Sequence, residues 1–213
     1  MPRTARADRR ARWVIRALVP VLALGLVWLI AGWAVFQHPR TDAPAPSDAL
    51  LVLGPPDRTR MAEALRLVDA GVAPVLVVAN PGAEDSGEAS GRTYYARAAQ
   101  TCAEGPGGDR DYEVICFRPD PSTTQGEAME LRALSEQRGW EHVSVLTYRQ
   151  HVARARLLLG RCYPGELDVL SFDYPAVPRG HLREFAYQSG GFVKAWLTPG
   201  CEQQLPWRPK SVA

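Results

Sequence analysis

Along the chain, hydrophobic and polar positions fall into two regimes. Residues 17–37, ALVPVLALGLVWLIAGWAVFQ, contain no charged side chain. A hydrocarbon core of ~30 Å takes about 20 helical residues at ~1.5 Å rise each, so this run is just long enough to span one. A buried core helix of that length would show a polar stripe, and none is present. From Asp48 onward, short apolar blocks alternate with amphipathic stretches. Residues 49–53 form a continuous apolar run bounded by Asp48 and Gly54-Pro-Pro, as in a strand buried on both faces. Residues 58–70 place Met61, Ala64, Leu65 and Val68 on one helical face, and Gly71 ends that helix.

The alternation continues to the end of the chain. Strands are predicted at 75–79, 113–117, 143–147 and 167–171. Helices are predicted at 90–101, 124–138 (with Met129, Leu131 and Leu134 inward), 150–160 and 180–197, the last carrying Phe185, Phe192 and Trp196. Strand, helix, strand with short connections predicts an α/β fold with a mostly parallel sheet. The expected architecture is a three-layer αβα Rossmann-like sandwich preceded by one N-terminal transmembrane helix. Residues 38–47, HPRTDAPAPS, read as a short extended tether between the two.

Charge orients this arrangement. Arg3, Arg6, Arg9, Arg10, Arg12 and Arg16 precede the apolar run against the single acid Asp8. Arginines bias their flank towards the cytoplasm. The expectation is residues 1–16 inside, 17–36 in the bilayer, 37–47 as linker and 48–213 outside. A cleavable signal peptide shares the charged start, but its apolar centre usually has about 7–15 residues, and Ala31-Gly-Trp-Ala34 is a poor cleavage site. The net charge of +2 divides into +5 for residues 1–16 and −3 for the rest. A mildly acidic ectodomain lacks the footprint of a nucleic-acid binder.

Cysteine usage fits an oxidising compartment. Cys102, Cys116, Cys162 and Cys201 all follow the apolar run, and four cysteines allow three pairings. The local choice, Cys102 with Cys116 and Cys162 with Cys201, is the simplest. No Cys-x-x-Cys occurs, and His and acidic residues do not cluster at metal-ligand spacing.

Ligands of open α/β sheets bind beyond the carboxyl ends of the strands, which directs attention to residues 54–60, 80–82, 118–127 and 147–154. Gly54-Pro-Pro-Asp57 reads first as a turn whose Asp57 caps a helix, and second as a backbone-lined pocket with Arg60 one turn in, suited to an anion. Asn80 occupies the corresponding place after the second strand. Thr124-Gln-Gly-Glu127, with an overlapping version from Ser122 to Gln125, reads as a capping box; Glu127 becomes a general base only if a substrate reaches it. Thr147-Tyr-Arg-Gln-His151-Val-Ala-Arg154 sets His151 and Arg154 at i, i+3 on one helical face. His38, His142 and His181 have no such setting. No Gly-x-Ser-x-Gly elbow, Gly-x-Gly-x-x-Gly or Walker pattern is present.

The order Asp48-Ala-Leu-Leu-Val-Leu-Gly54, Arg60-x-x-x-Ala64-x-x-Leu67, Gly71-Val-Ala-Pro74, Thr124-x-x-Glu127-Ala128 and Thr147-x-x-x-His151-x-x-Arg154-Ala155 resembles the YdcF/SanA/ElyC-like family of bacterial envelope proteins. The resemblance covers about residues 48–160. It departs at Ala79-Asn80-Pro-Gly82, where members often show Ser-Gly, and at Glu127, where Asn is common. It implies a Rossmann-like fold, a bacterial inner-membrane location, a site at the strand ends and a role in cell-envelope integrity and peptidoglycan homeostasis. Two functions stay open. One is a ligand-binding protein or enzyme for a phosphorylated or nucleotide-like envelope compound, with Gly54, Arg60, Asn80, Thr124, Thr147 and Arg154 as ligand contacts and His151 and Glu127 for proton transfer. The other is a non-catalytic assembly or regulatory module. Neither calls for a cofactor or metal; the partners expected are the bilayer and, in the first case, that small molecule.

Overall fold

The computed structural model describes residues 3–79, 95–107, 110–172 and 180–202. Helix α1 (Arg3–Gln37) runs without interruption through Pro20. Its stretch Trp13–Gln37 has a mean hydropathy of 2.4 and is long and apolar enough to cross a membrane. The large side chains along it face outward, and only at Phe36 does it become buried against the rest of the chain.

Among the described residues the remaining elements are β1 (Ala49–Val52), α2 (Arg58–Asp69), β2 (Val75–Ala79), α3 (Ala96–Glu104), β3 (Glu113–Phe117), α4 (Thr124–Arg138), β4 (His142–Tyr148), a 3-10 turn (Arg149–His151), α5 (Val152–Cys162), β5 (Glu166–Phe172) and α6 (His181–Leu197). The five strands form one sheet in the order β3-β2-β1-β4-β5, and every pairing is parallel. The helix expected at 90–101 is seen as α3, which starts at Ala96; residues 90–94 lie outside the described part.

Side chains alternate across a strand with a period of two, and the two sets feed separate cores. Leu50, Val52, Leu76, Val78 and Leu146 meet Met61, Ala64, Leu67 and Val68 of α2 and Ala98 of α3. Leu51, Val75, Val77, Val143 and Val145 meet Ala128 and Leu131 of α4 and Ala155 and Leu159 of α5. This double burial is why β1 and β2 read as unbroken apolar runs. Leu67 rather than Leu65 completes the inner face of α2; Leu65 is only partly buried. Arg60 is also on the buried side of α2.

The segment between α1 and β1, expected as a short extended tether, has no helix or strand and is fastened to the domain along its length. Asp42 donates its N–H to Val169 O (3.1 Å) and accepts from Val169 N (2.7 Å), pairing with the outer side of β5. Arg156 of α5 holds the same carboxylate. Ser47 N donates to Val72 O at 2.9 Å. An exposed edge strand is a template for unwanted pairing, and this strap covers part of it. Disulfides join Cys102 to Cys116 and Cys162 to Cys201. The first ties α3 to β3. The second holds the chain beyond α6 to the end of α5. Closing loops of 14 and 39 residues stabilises by about 3 and about 4 kcal/mol respectively in the chain-entropy account.

Candidate functional site

Strand order reverses at β1, since β2 and β3 lie on one side of it and β4 and β5 on the other. The loops leaving β1 and β4 therefore separate, and a crevice opens at the carboxyl ends of the strands. A cleft of about 620 Å³ occupies this place. Gly54 and Pro55 form its floor after β1, Thr123, Thr124 and Glu127 line it from the start of α4, and Arg154 reaches it from α5. Tyr187, Gly191 and Lys194 complete the wall on α6. A Cβ on Gly191 would lie 2.7 Å from Arg154 Cδ, so glycine at this position lets the arginine run along α6 into the cleft.

Glu127 is 4 % exposed, and its Oε1 accepts the Gly54 N–H at 2.5 Å. Burial raises its pKa to about 7, against the opposing pull of that hydrogen bond, Arg60, Arg154 and the Thr124 hydroxyl. A carboxyl group poised there exchanges a proton at neutral pH, as a general acid or base must. The Thr124 hydroxyl is hydrogen-bonded to the Glu127 carboxyl group. His151 Nε2 lies 3.3 Å from Thr124 Oγ1, and His151 Nδ1 lies 2.9 Å from Thr147 Oγ1. The two ring nitrogens of His151 thus link the Thr124 and Thr147 hydroxyls. Burial, with Arg154 and Arg60 nearby, holds the His151 pKa well below its usual value, so the ring is neutral. His151 does not line the cleft; Thr124 stands between it and Glu127.

Arg60 also stands behind the cleft rather than in it. Its guanidinium is buried, donates to Leu53 O, lies over the Tyr148 ring at 5.4 Å and has Asp57 Oδ2 4.0 Å from its Nε. Asp57 caps α2 by accepting from Thr59 N and Arg60 N. Tyr148 extends the buried polar layer to α6: its hydroxyl donates to Glu184 Oε1 at 2.9 Å. Burial and the Glu184 carboxylate push the Tyr148 phenol well above its usual pKa. Gln188 Nε2 donates to both Tyr148 Oη (2.8 Å) and Glu184 Oε1 (2.7 Å), while Gln188 Oε1 accepts from Arg154 Nε (2.9 Å). That assignment uses both amide hydrogens and one oxygen lone pair, which fixes the amide orientation. Arg154 lies over the Tyr187 ring at 5.3 Å.

Of the residues predicted from the sequence, Gly54, Thr124, Glu127 and Arg154 line one cleft. Arg60, Thr147 and His151 form the layer beneath it. Asn80 lies outside the described residues. The capping expectation needs correction. The cap of α4 is Thr123, in an extended conformation with its oxygen accepting Gly126 N (3.3 Å), and neither Ser122 nor Thr124 fills that role. One residue's displacement releases the Thr124 hydroxyl and the Glu127 carboxylate for the contacts above. Sequence reasoning missed Tyr148, Glu184, Gln188, Tyr187 and Lys194. The available signal was the pair Glu184 and Gln188 at i, i+4, polar positions between the aromatic residues of α6. Among the described residues, no three His, Cys, Asp or Glu side chains come together as metal ligands.

No protein-family model matches the chain, and neither a curated protein nor a solved structure matches it.

Proposed function

We propose that the chain is a membrane-anchored extracytoplasmic protein that binds a phosphorylated or nucleotide-like small molecule in the cleft at the strand ends. On this reading the domain is a three-layer Rossmann-like sandwich of the YdcF/SanA/ElyC-like kind, α1 is its anchor in a bacterial inner membrane, and its role lies in envelope homeostasis. The observation that carries the ligand reading is the convergence of Arg154, Lys194 and the N-terminus of α4 on one cleft that also contains Glu127. Two cations and a positive helix end suit an anion. Glu127, with a pKa of about 7, supplies a group that gives or takes a proton beside it.

The test is a thermal-shift series on the full-length protein in detergent with phosphorylated sugars, nucleotides and inorganic phosphate. A ligand at 100 times its dissociation constant stabilises by about 2.7 kcal/mol, enough to raise the melting temperature visibly. Arg154→Ala should remove the shift, while Glu127→Gln should retain binding and abolish any turnover. No shift with any compound, or an identical shift in Arg154→Ala, sinks the ligand-site reading and leaves a non-catalytic interaction module.

A further inference from the structure

Helix α6 has three faces. Glu184, Gln188 and Ala195 point into the domain. Tyr187, Gly191 and Lys194 line the cleft. The third face is apolar: Phe185 and Phe192 begin it, and Leu182, Val193, Trp196 and Leu197 continue it at helical spacing while remaining exposed to solvent. Leu182 is 78 % and Trp196 73 % exposed. Contiguous apolar surface of this kind on a folded domain marks an interaction site.

What covers it is indicated by α1. The Phe185 ring lies edge-on to Trp28 (6.3 Å) and Phe36 (5.5 Å), and Phe192 lies 5.8 Å from Phe36. Gly32 leaves the notch that Phe185 fills, since a Cβ there would fall 2.3 Å from the ring. Small residues in a membrane helix allow such close approach. Trp28 and Gly32 lie within the stretch Trp13–Gln37. At ~1.5 Å per residue they sit about 13 and about 7 Å below Gln37. Arg16 marks the other limit of the uncharged run, so the apolar stretch has no length to spare, and residues 28–36 cannot all stand clear of the hydrocarbon. Leu182 and Phe185 line a groove against α1 that runs from Leu29 and Ile30 up to Gln37 and His38, with Arg149 and His181 also on its wall, so the start of α6 lies alongside this end of the apolar stretch.

We infer that α6 is an interfacial helix whose apolar face rests in the leaflet from which the domain emerges, N-terminal end deeper. The occupant of the face is lipid. The inference rests on the reading of α1 as a membrane span. An interfacial helix keeps a charged side towards water, and α6 does so with Arg183 and Lys194, which fall on the side opposite Phe185 and Phe192. Because Lys194 and Gly191 of this helix also line the cleft, the membrane surface and the candidate site share one wall.

Spin labels on single cysteines test the inference in the full-length protein, reconstituted in phosphatidylcholine vesicles under non-reducing conditions. The sites are Leu182→Cys, Trp196→Cys, Leu22→Cys within α1 and Gln137→Cys at the far end of α4. All four positions are exposed, so labelling leaves the fold undisturbed. The readout is collision with oxygen, which concentrates in lipid, against collision with a water-soluble nickel chelate. The oxygen-to-nickel ratio should be several-fold higher at Leu182 than at Gln137, intermediate at Trp196, and highest at Leu22. A Leu182 ratio equal to that of Gln137 with Leu22 still in lipid overturns the docking of α6 and leaves the anchor standing. A watery Leu22 overturns the anchor reading, and the inference with it.

Discussion

The two ends of the sheet use the same kinds of side chain in opposite ways. At the amino ends of the strands, polar side chains pair near water: Arg138 with Glu113 at 2.7 Å, both well exposed, and half-buried His142 with Asp168 at 2.9 Å. At the carboxyl ends, Arg60, His151, Glu184 and Gln188 are buried beneath a cleft that nearly buried Glu127 lines. Exposed pairs do little for stability and nothing for chemistry. Burying ionisable groups costs desolvation, and a fold keeps such a layer where the groups have another use. The contrast singles out the carboxyl ends as the candidate functional end independently of any motif.

The sharpest way to break the contrast is to remove Arg60. Its 1 % exposure leaves the Leu53 carbonyl, the Tyr148 face and the neighbouring carboxylates without a substitute from water. Arg60→Ala should cost about 3–5 kcal/mol in chemical denaturation, the range for taking one partner from a buried charge cluster. It should also raise the pKa of Glu127 further, because Arg60 acts to lower it. A loss no larger than that of a surface substitution would mean that the carboxyl-end layer is not an energetic unit.

A smaller effect sharpens the comparison through pH. Glu127 has a raised pKa in the folded protein, so its contribution to stability is present below about 4.5 and is lost as pH rises through about 7. Relative to Glu127→Gln, the wild type should lose about 3 kcal/mol across that interval. His151 has the opposite sign. Its folded pKa is depressed, so its contribution is present above about 6.5, where the unfolded ring is neutral, and is lost as pH falls. His151→Gln should flatten the acid side of the stability profile and Glu127→Gln the neutral side. If both variants track the wild type from pH 4 to pH 8, the buried assignments are wrong.

The fold was legible because its signals are local. Residues 75–79 declare a strand by a continuous apolar run and residues 114–117 by a shorter one after Glu113, and the strand ends then point to the cleft without further information. The candidate site was half legible for the same reason. Gly54, Glu127 and Arg154 lie beside strand exits. Tyr148, Glu184 and Gln188 form a network only because α6, more than thirty residues beyond β4, folds back across the end of that strand. The capping residue was misplaced because Ser122, Thr123 and Thr124 are all competent caps, and the choice between them depends on where Glu127 finds its partner.

The smallest predicted effect belongs to the amino ends of the strands. Arg138 and Glu113 form a bidentate pair, Nη1 to Oε2 at 2.8 Å and Nη2 to Oε1 at 2.7 Å, the geometry usually credited with strength. Both side chains nevertheless stand in solvent. The Coulomb attraction is weakened by water, and holding two long side chains in one arrangement has an entropic cost that offsets most of what remains. Arg138→Ala and Glu113→Ala should therefore melt with the wild type, singly or together, and raising the salt concentration should leave all of them in step. The double mutant is the informative member, since it separates the pairing from what each side chain does alone. A drop approaching that of Arg60→Ala would place an energetic cluster at both ends of the sheet, and burial would no longer distinguish the end that carries the cleft.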